Sequence, residues 1–133
     1  MPDKDLTKHI GKDQFAEHVG IVLESVKPGY ARAIMKIKPF HLNGVGRVQG
    51  GAIYTLADYT FAAAANTEGT KTLGINTTIS FFQAATGSVL TAEAREVSTQ
   101  NKICGYDVDI FDENGERIAR FSGMGYRKRR IAE

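Results

Sequence analysis

The stretch 41–66, HLNGVGRVQGGAIYTLADYTFAAAAN, places the strongest constraint on the fold of this chain. Its first half is a polar loop that contains Gly44, Gly46, Gly50 and Gly51. The second half predicts about four turns of helix with small or apolar residues on every face, and such a helix is buried. Asp58 is the exception, because a carboxylate in a buried helix costs several kcal/mol unless it is paired or protonated. Asp58 therefore needs a structural or a chemical explanation.

The composition favours one soluble globular domain, residues 1–133, with 42% hydrophobic and 24% charged residues. The longest strictly apolar run, Phe61 to Ala65, is far shorter than the ~20 residues that span a bilayer. The charged opening MPDKDLTKHI lacks the apolar core of a secretion signal. We therefore expect a cytoplasmic protein that does not associate with membranes.

Cysteine content and charge limit the ligands further. The single cysteine, Cys104, excludes an internal disulfide and the multi-cysteine zinc patterns, so we expect no metal site and an inert, buried thiol. The net charge of +2 and the lack of a helix-turn-helix signature argue against nucleic acid. The basic cluster Arg127, Lys128, Arg129 and Arg130 is either a solvated terminus or a patch that binds a phosphorylated ligand.

The rest of the chain predicts one short helix and six strands. The helix spans residues 4–17, with an interruption near Gly11. The strands are the segments 18–26, 30–38, 73–82, 88–97, 102–111 and 117–128, which show alternation or are bounded by turn residues. Asn114-Gly115 is a strong hairpin signal between the last two. This order predicts an α+β fold in which an antiparallel sheet of five to six strands wraps around the long helix.

The long helix also suggests chemistry. Its N-terminus, near Gly50 and Gly51, presents unpaired N–H groups and a partial positive charge that suit an oxyanion. Asp58 lies eight residues further along, or ~12 Å at about 1.5 Å per residue, too far to act on a carbonyl bound there. Two antiparallel helices related by a two-fold axis would bring each Asp58 to the partner's N-terminus. The spacing thus predicts a homodimer with two composite sites.

Each of these residues also has a purely structural interpretation. Asp58 would cap neighbouring N–H groups or tie the helix to the sheet, the glycines would only begin the helix, and Asn43 would form a turn. Thr77, Thr78 and Ser80 alternate along a strand, and one face would present a hydroxyl to Asp58, although strand threonines commonly have no such role. From residue chemistry alone, the structural and catalytic interpretations of Asp58 both remain open.

Together, the pattern H-L-N-G-x-G-x-x-Q-G-G-A-I-x-x-L-A-D-x-x-F-A-x-A-x-N resembles the hotdog-fold acyl-CoA thioesterases, specifically the PaaI-like (phenylacetic acid degradation) branch. The resemblance extends over residues 40–127 and includes a TAEAREV strand and a YDVxIFDENGE hairpin. It implies a hotdog fold, active sites at the interface of a homodimer, and a homotetramer of two such dimers. It also implies an acyl-CoA thioesterase with no cofactor other than the coenzyme A of its substrate.

The same resemblance implies catalytic roles, position by position. Asp58 matches the catalytic carboxylate, which acts as a general base on water or as a nucleophile. The backbone N–H of Gly50 or Gly51 would polarise the thioester carbonyl, and Asn43 would orient it.

Further residues are expected around the substrate. Thr77 or Asn76 falls where the family places a polar side chain next to the carboxylate. The acyl pocket and the phosphate contacts involve aromatic and cationic residues, respectively: Tyr54, Phe61, Phe81 and Phe82 for the acyl group, and Lys102, Arg127 and Lys128 for coenzyme A.

Gln49 is a departure from the family pattern, which usually has histidine at this position. Glutamine donates a hydrogen bond but cannot carry a proton, so the hotdog dehydratases, which rely on a catalytic histidine, are disfavoured. The first hypothesis is an acyl-CoA thioesterase in which Gln49 positions the substrate. The alternatives are a non-catalytic acyl-CoA-binding protein and a structural dimerisation module. The free-energy cost of a buried carboxylate favours the enzyme over the alternatives. The identity of the acyl group remains open.

Overall fold

The computed structural model describes residues 10, 12–67, 69 and 71–128. Its elements, in chain order, are α1 (Gln14–His18), β1 (Ile21–Lys27), β2 (Tyr30–Lys36), a 3-10 helix (Pro39–His41), α2 (Gly50–Ala65), β3 (Thr72–Phe81), β4 (Val89–Thr99), β5 (Ile103–Phe111) and β6 (Arg117–Arg127). The described residues thus form one long helix and six strands, and the predicted α+β architecture is confirmed.

The strands form one antiparallel sheet in the order β1-β2-β4-β5-β6-β3, so β1 and β3 are its edges. The turn between β5 and β6 contains the predicted Asn-Gly pair, with Gly115 in the left-handed region at φ +81°. The Asp112 carboxylate holds this turn, because it accepts hydrogen bonds from the N–H groups of Asn114 at 3.0 Å and Glu116 at 3.1 Å.

The core lies between the inner face of the sheet and α2. Side chains alternate along the strands, and every second one is buried against the helix: Ala31, Ala33 and Met35 on β2, Leu90, Ala92 and Ala94 on β4, and Tyr106, Val108 and Ile110 on β5. The hydrophobic effect of this burial holds α2 on the sheet.

Phe61 is the largest side chain that α2 buries, and it packs against three glycines on β3 and β6. It is 2% exposed, and a Cβ placed on Gly74, Gly123 or Gly125 would lie 3.1, 3.1 or 3.5 Å from its ring. The glycines therefore form a hollow that accommodates the ring, because any larger residue would bring its side chain into the same space.

Asn66 connects the end of α2 to the start of β3. Its amide nitrogen donates to the carbonyl of Ala62 at 2.7 Å and to that of Thr72 at 3.3 Å, and its oxygen accepts from the N–H of Thr72 at 2.9 Å. Asn66 is buried, so these bonds satisfy backbone groups that water cannot reach.

α2 is buried on one side, whereas the sequence predicts a helix enclosed all round. Ile53, Leu56 and Ala57 contact the core, but Asp58 and Tyr59 are only half-buried. The reason is that one sheet covers one side of a helix. The opposite side of α2, which carries Asp58, is not covered by strands.

Most predicted strand boundaries agree with the structure to within two residues. The predicted start of the first strand, at His18, is wrong. β1 begins at Ile21, because His18 ends α1 and Gly20 turns the chain at φ +92°. α1 is also shorter than the predicted helix over residues 4–17, of which residues 4–9 and 11 lie outside the described residues. Cys104 is 1% exposed, and burial raises the pKa of its thiol, in agreement with an inert side chain. None of the described helices has the length and apolar character needed to cross a membrane.

Candidate functional site

The loop before α2 is organised by the side chain of Asn43. Its Oδ1 accepts from the N–H groups of Val45 at 3.0 Å and Arg47 at 3.1 Å, and its backbone N–H donates to the carbonyl of Arg47 at 2.7 Å. Among the described residues, the Asn43 amide nitrogen has no acceptor. The side chain thus builds the turn with its oxygen and retains two N–H donors.

The first turn of α2 presents two backbone donors in different states. Gln49 is the N-cap, and its Oε1 accepts from the N–H of Gly51 at 3.1 Å. The N–H of Gly50 has no acceptor among the described residues. A Cβ on Gly50 would lie 3.2 Å from the Phe81 ring, so glycine is the residue that fits at this crowded position. Gly50 is therefore the donor that is open to a ligand in this structure.

Asp58 lies two helical turns beyond this end of α2, on the side away from the sheet. Its carboxylate has no hydrogen-bond partner within the described part of the chain. Loss of water contact, and secondarily the negative charge of Asp13, raise the pKa of Asp58. Both oxygens are thus available to a ligand or to a second chain. The structural interpretation, in which Asp58 caps N–H groups, has no support among the described residues.

His41 adjoins the site but is held by the backbone at both ring nitrogens. Nδ1 accepts from the N–H of Lys38 at 2.9 Å, so Nε2 carries the proton and donates to the carbonyl of Val19 at 2.8 Å. The ring is 3% exposed and has no nitrogen left for proton transfer. His41 is a structural residue, which leaves the Asp58 carboxylate as the candidate base near this end of α2.

The polar strand residues do not meet Asp58 of their own chain. The hydroxyls of Thr77 and Tyr54 are 2.6 Å apart and form a hydrogen bond, and the Tyr54 ring packs edge-on against Phe121 with centroids 5.6 Å apart. Asn76 is exposed on β3, where it pairs with Met124 of β6. Contact between Thr77 and the Asp58 carboxylate stays a prediction that requires a partner chain.

The aromatic residues predicted for the acyl pocket are not gathered in one place. Phe61 is in the core under α2, whereas Phe81 and Phe82 are about half exposed. The Phe81 ring contacts the N-terminus of α2 at Gly50, and the Phe82 ring lies 5.4 Å from the Arg117 guanidinium carbon. Within one chain, Phe81 is the member of this set that lies beside the helix N-terminus.

The cations predicted to bind coenzyme A lie at the opposite end of the sheet. Arg127 pairs with Thr72 at the start of β3, next to the C-terminus of α2, ~24 Å from Gly50 at about 1.5 Å per helical residue. Its guanidinium donates to the Glu96 carboxylate at 2.7 Å and to the Gln100 carbonyl at 2.8 Å. The chain thus already engages Arg127.

The two lysines of this set lie beside Arg127. The backbone N–H of Arg127 bonds to the carbonyl of Lys102, and that of Lys128 bonds to the carbonyl of Lys71. Arg129 and Arg130 are outside the described residues.

A cleft that the sequence did not reveal opens beside the N-terminus of α2. It has a volume of about 390 Å³, and apolar residues from α1, the 3-10 helix and α2 provide most of its lining: Phe15, Val19, Phe40, Leu42 and Ala52, together with His41, Gln49, Gly51 and Thr55. The available signal was Phe40 and Leu42, two apolar residues that flank His41 just before the glycine-rich loop. The tertiary fold brings α1 to the same place, which sequence spacing does not indicate.

Comparison with known proteins identifies the family. The family model of the thioesterase superfamily matches residues 45–119. The chain is 34% identical over 117 residues to the acyl-coenzyme A thioesterase PaaI of Escherichia coli, an alignment that covers 86% of this chain and 83% of that protein. It is 36% identical over 116 residues to a putative esterase of Archaeoglobus fulgidus, which covers 86% of this chain and 75% of the relative.

The fold leads to the same family. The structure of the E. coli PaaI protein from the phenylacetic acid degradation operon superimposes with a TM-score of 0.85 and 29% identity, over 90% of this chain and 87% of the other. The hotdog fold and the PaaI-like resemblance predicted from the motif are thereby confirmed. The chain is an enzyme of the thioesterase superfamily, with the hotdog fold of its PaaI-like members.

Proposed function

We propose that this protein is an acyl-CoA thioesterase that hydrolyses an acyl-CoA to a carboxylic acid and free coenzyme A. The observation that carries the proposal is the half-buried, unpartnered carboxylate of Asp58, on the open side of a helix whose first N–H, at Gly50, is also free within the described chain. The activity named for the 34% identical E. coli relative supports the choice of coenzyme A thioesters.

The proposed site is shared between two protomers. Gly50 and Asp58 are separated by ~12 Å along α2, so one chain cannot place both on one thioester carbonyl. Two features support pairing: the uncovered side of α2, and the ten-residue strand β3, which lies at an edge of the sheet. An antiparallel pair would put Asp58 of the partner subunit beside Gly50. Two such dimers would form the proposed homotetramer.

The chemistry follows from this arrangement. As a base, Asp58 takes a proton from water while the water oxygen attacks the thioester carbon and the Gly50 N–H stabilises the oxyanion. The carbon–sulfur bond then breaks, and the coenzyme A sulfur receives the proton. As a nucleophile, Asp58 would instead form an anhydride that water hydrolyses to the same products. Either route uses groups from two copies of this chain, together with water.

Gln49 takes the place of the family's histidine without a proton to transfer. Its Oε1 caps Gly51, and its amide nitrogen has no acceptor among the described residues, so it is free to donate to the substrate. The antiparallel arrangement also carries the C-terminal end of one α2 past the N-terminus of the other. Lys102 and Lys128 would then lie nearest the coenzyme A phosphates, because Glu96 already binds Arg127.

The substitution Asn43→Asp separates the two functions of Asn43. Aspartate offers the same acceptor to the N–H groups of Val45 and Arg47, so we expect the melting temperature to be maintained. It lacks the amide donors and adds a negative charge, so kcat/KM should fall by about tenfold or more. Asn43→Ala, which removes the acceptor as well, should lower both quantities. Full activity of Asn43→Asp would mean that the side chain only builds the loop.

Thiol release from a panel of acyl-CoAs, from acetyl to octanoyl and including an aromatic acyl group, tests the proposed function. We expect wild-type protein to hydrolyse at least one member with saturation kinetics. Binding of acyl-CoA without hydrolysis would instead support the non-catalytic binder. Neither binding nor hydrolysis would leave only a dimerisation module and reject the proposal.

A further inference from the structure

The cleft beside the N-terminus of α2 shares residues with the proposed thioester site. Gln49 belongs to both, and Gly51, whose N–H it caps, lines the cleft directly after Gly50, so a ligand whose carbonyl lies at the start of α2 has the cleft next to it. No charged side chain lines the cleft in the described chain. The volume of about 390 Å³ is near the lower end of the range for small-molecule pockets, roughly 300–1,000 Å³.

The polar side chains of the lining are already engaged by the chain itself. Both nitrogens of His41 bond to backbone groups, and the Thr55 hydroxyl donates to the carbonyl of Gly51 at 2.8 Å. The Gln49 oxygen caps Gly51, which leaves the Gln49 amide nitrogen as the one free side-chain donor of the described lining. A polar occupant would thus lose hydrogen bonds to water without replacing them.

The two phenylalanines of the cleft are largely exposed, and a bound apolar ligand would cover them. Phe15 is 61% exposed and Phe40 is 66% exposed, although both line a concave surface with Val19 and Leu42. When an apolar group displaces water from exposed apolar surface of this kind, the free energy of the system falls, so binding is favourable.

From these observations we propose that the cleft between Phe15, Phe40 and Ala52 binds the acyl group of the substrate, and that it selects an uncharged, apolar acyl group of small to medium size. The proposal rests on the proposed thioesterase function. It differs from the sequence-based assignment to Tyr54, Phe61, Phe81 and Phe82.

The test is the dependence of kcat/KM on acyl length, measured by thiol release with acetyl-, butyryl-, hexanoyl- and octanoyl-CoA. For wild type we expect kcat/KM to increase about fourfold per methylene until the cleft is filled. Phe40→Ala should lower the hexanoyl-to-acetyl ratio by about threefold to tenfold, because the acyl chain loses an aromatic contact. Ala52→Leu, which fills the cleft with a helix-compatible side chain, should lower the ratio more.

Two variants serve as references. Val97→Ala, at a position 60% exposed on β4, should leave the ratio within about twofold of wild type, as expected for surface sites remote from functional features. Phe82→Ala tests the rival location. If Phe82→Ala lowers the ratio and Phe40→Ala does not, the acyl group binds on the other side of α2 and the proposal is wrong. Succinyl-CoA should also be a poorer substrate than butyryl-CoA, because its carboxylate would lose water in the cleft.

Two further outcomes would overturn the inference. If hydrolysis is intact and neither Phe40→Ala nor Ala52→Leu changes the hexanoyl-to-acetyl ratio, the cleft is not the acyl site, while the proposed thioesterase activity stands. Equal loss with every acyl group in Phe40→Ala, together with altered sedimentation of the oligomer, would mean that a second copy of the chain fills the cleft. If wild type binds acyl-CoAs without hydrolysing them, the hexanoyl-to-acetyl preference is measured instead from dissociation constants by calorimetry. The acyl-site proposal can therefore be tested even if the proposed thioesterase function is wrong.

Discussion

Asp58→Asn is expected to lower kcat/KM for the best acyl-CoA by about 10²- to 10⁴-fold, the contribution of a positioned general base or nucleophile. Asparagine has nearly the same shape, so substrate binding should persist while the chemical step is lost. The measurement is thiol release under kcat/KM conditions, with binding of the same acyl-CoA followed by calorimetry. Asp13→Asn is the matched control: this carboxylate caps α1 through the N–H of Ala16 and is proposed only to influence Asp58 by its charge.

The thermal stability of Asp58→Asn shows whether its loss of activity comes from the chemical step or from unfolding. Folding raises the pKa of Asp58 above its ordinary value of 3.8, so the folded state favours the protonated form. As the pH rises from that value through the raised pKa, the carboxylate ionises in a half-buried place and folding becomes less favourable. The neutral asparagine removes this penalty. We therefore expect Asp58→Asn to melt no lower than wild type at pH 7.

The pH dependence of wild type gives a second readout. If ionised Asp58 is the base, kcat/KM should fall on the acid side with an inflection above pH 3.8, because burial raises the pKa of Asp58. Asp13→Asn should move this inflection to lower pH by removing a neighbouring negative charge. Activity of Asp58→Asn within a few-fold of wild type would place the catalytic group elsewhere, while the family assignment would stand.

Phe61→Ala is expected to destabilise the protein by about 3–5 kcal/mol, the usual cost of removing a buried phenylalanine ring. Phe61 is 2% exposed and packs on Tyr106 and Phe121, with ring centroids 5.6 and 5.7 Å away. The glycines beneath it have no side chains to move into the cavity, so the site cannot easily close. Urea denaturation followed by circular dichroism gives the free energy of unfolding.

Phe82→Ala is the control for this prediction. Phe82 is 52% exposed, so its loss should change the free energy of unfolding by no more than about 0.5 kcal/mol. A change below about 1 kcal/mol in Phe61→Ala would mean that the ring does not support the α2–sheet interface. The result also bears on the acyl pocket. A ring that contributes this much to the stability of the core cannot move to accommodate a ligand.

The sequence determined the architecture through patterns that act locally. The small and apolar residues on every face of the segment between Gly50 and Ala65 specified the long helix. Alternating strands and the Asn114-Gly115 turn specified the antiparallel sheet, because the period of two and the turn type are properties of adjacent residues. Asp58 was identifiable for the same reason, as one charge in an otherwise apolar helix.

Only the tertiary structure decided which residues surround the site. His41, a loop histidine in the sequence, is a structural residue because the backbone of Lys38 holds one ring nitrogen and the backbone of Val19, 22 residues away in the chain, holds the other. Phe61, a plausible pocket residue in the sequence, is in the core because glycines of two other strands form a hollow for it. The Phe15–Phe40 cleft exists because α1 packs near the start of α2. Such contacts join residues far apart in the chain, and spacing alone carries no information about them.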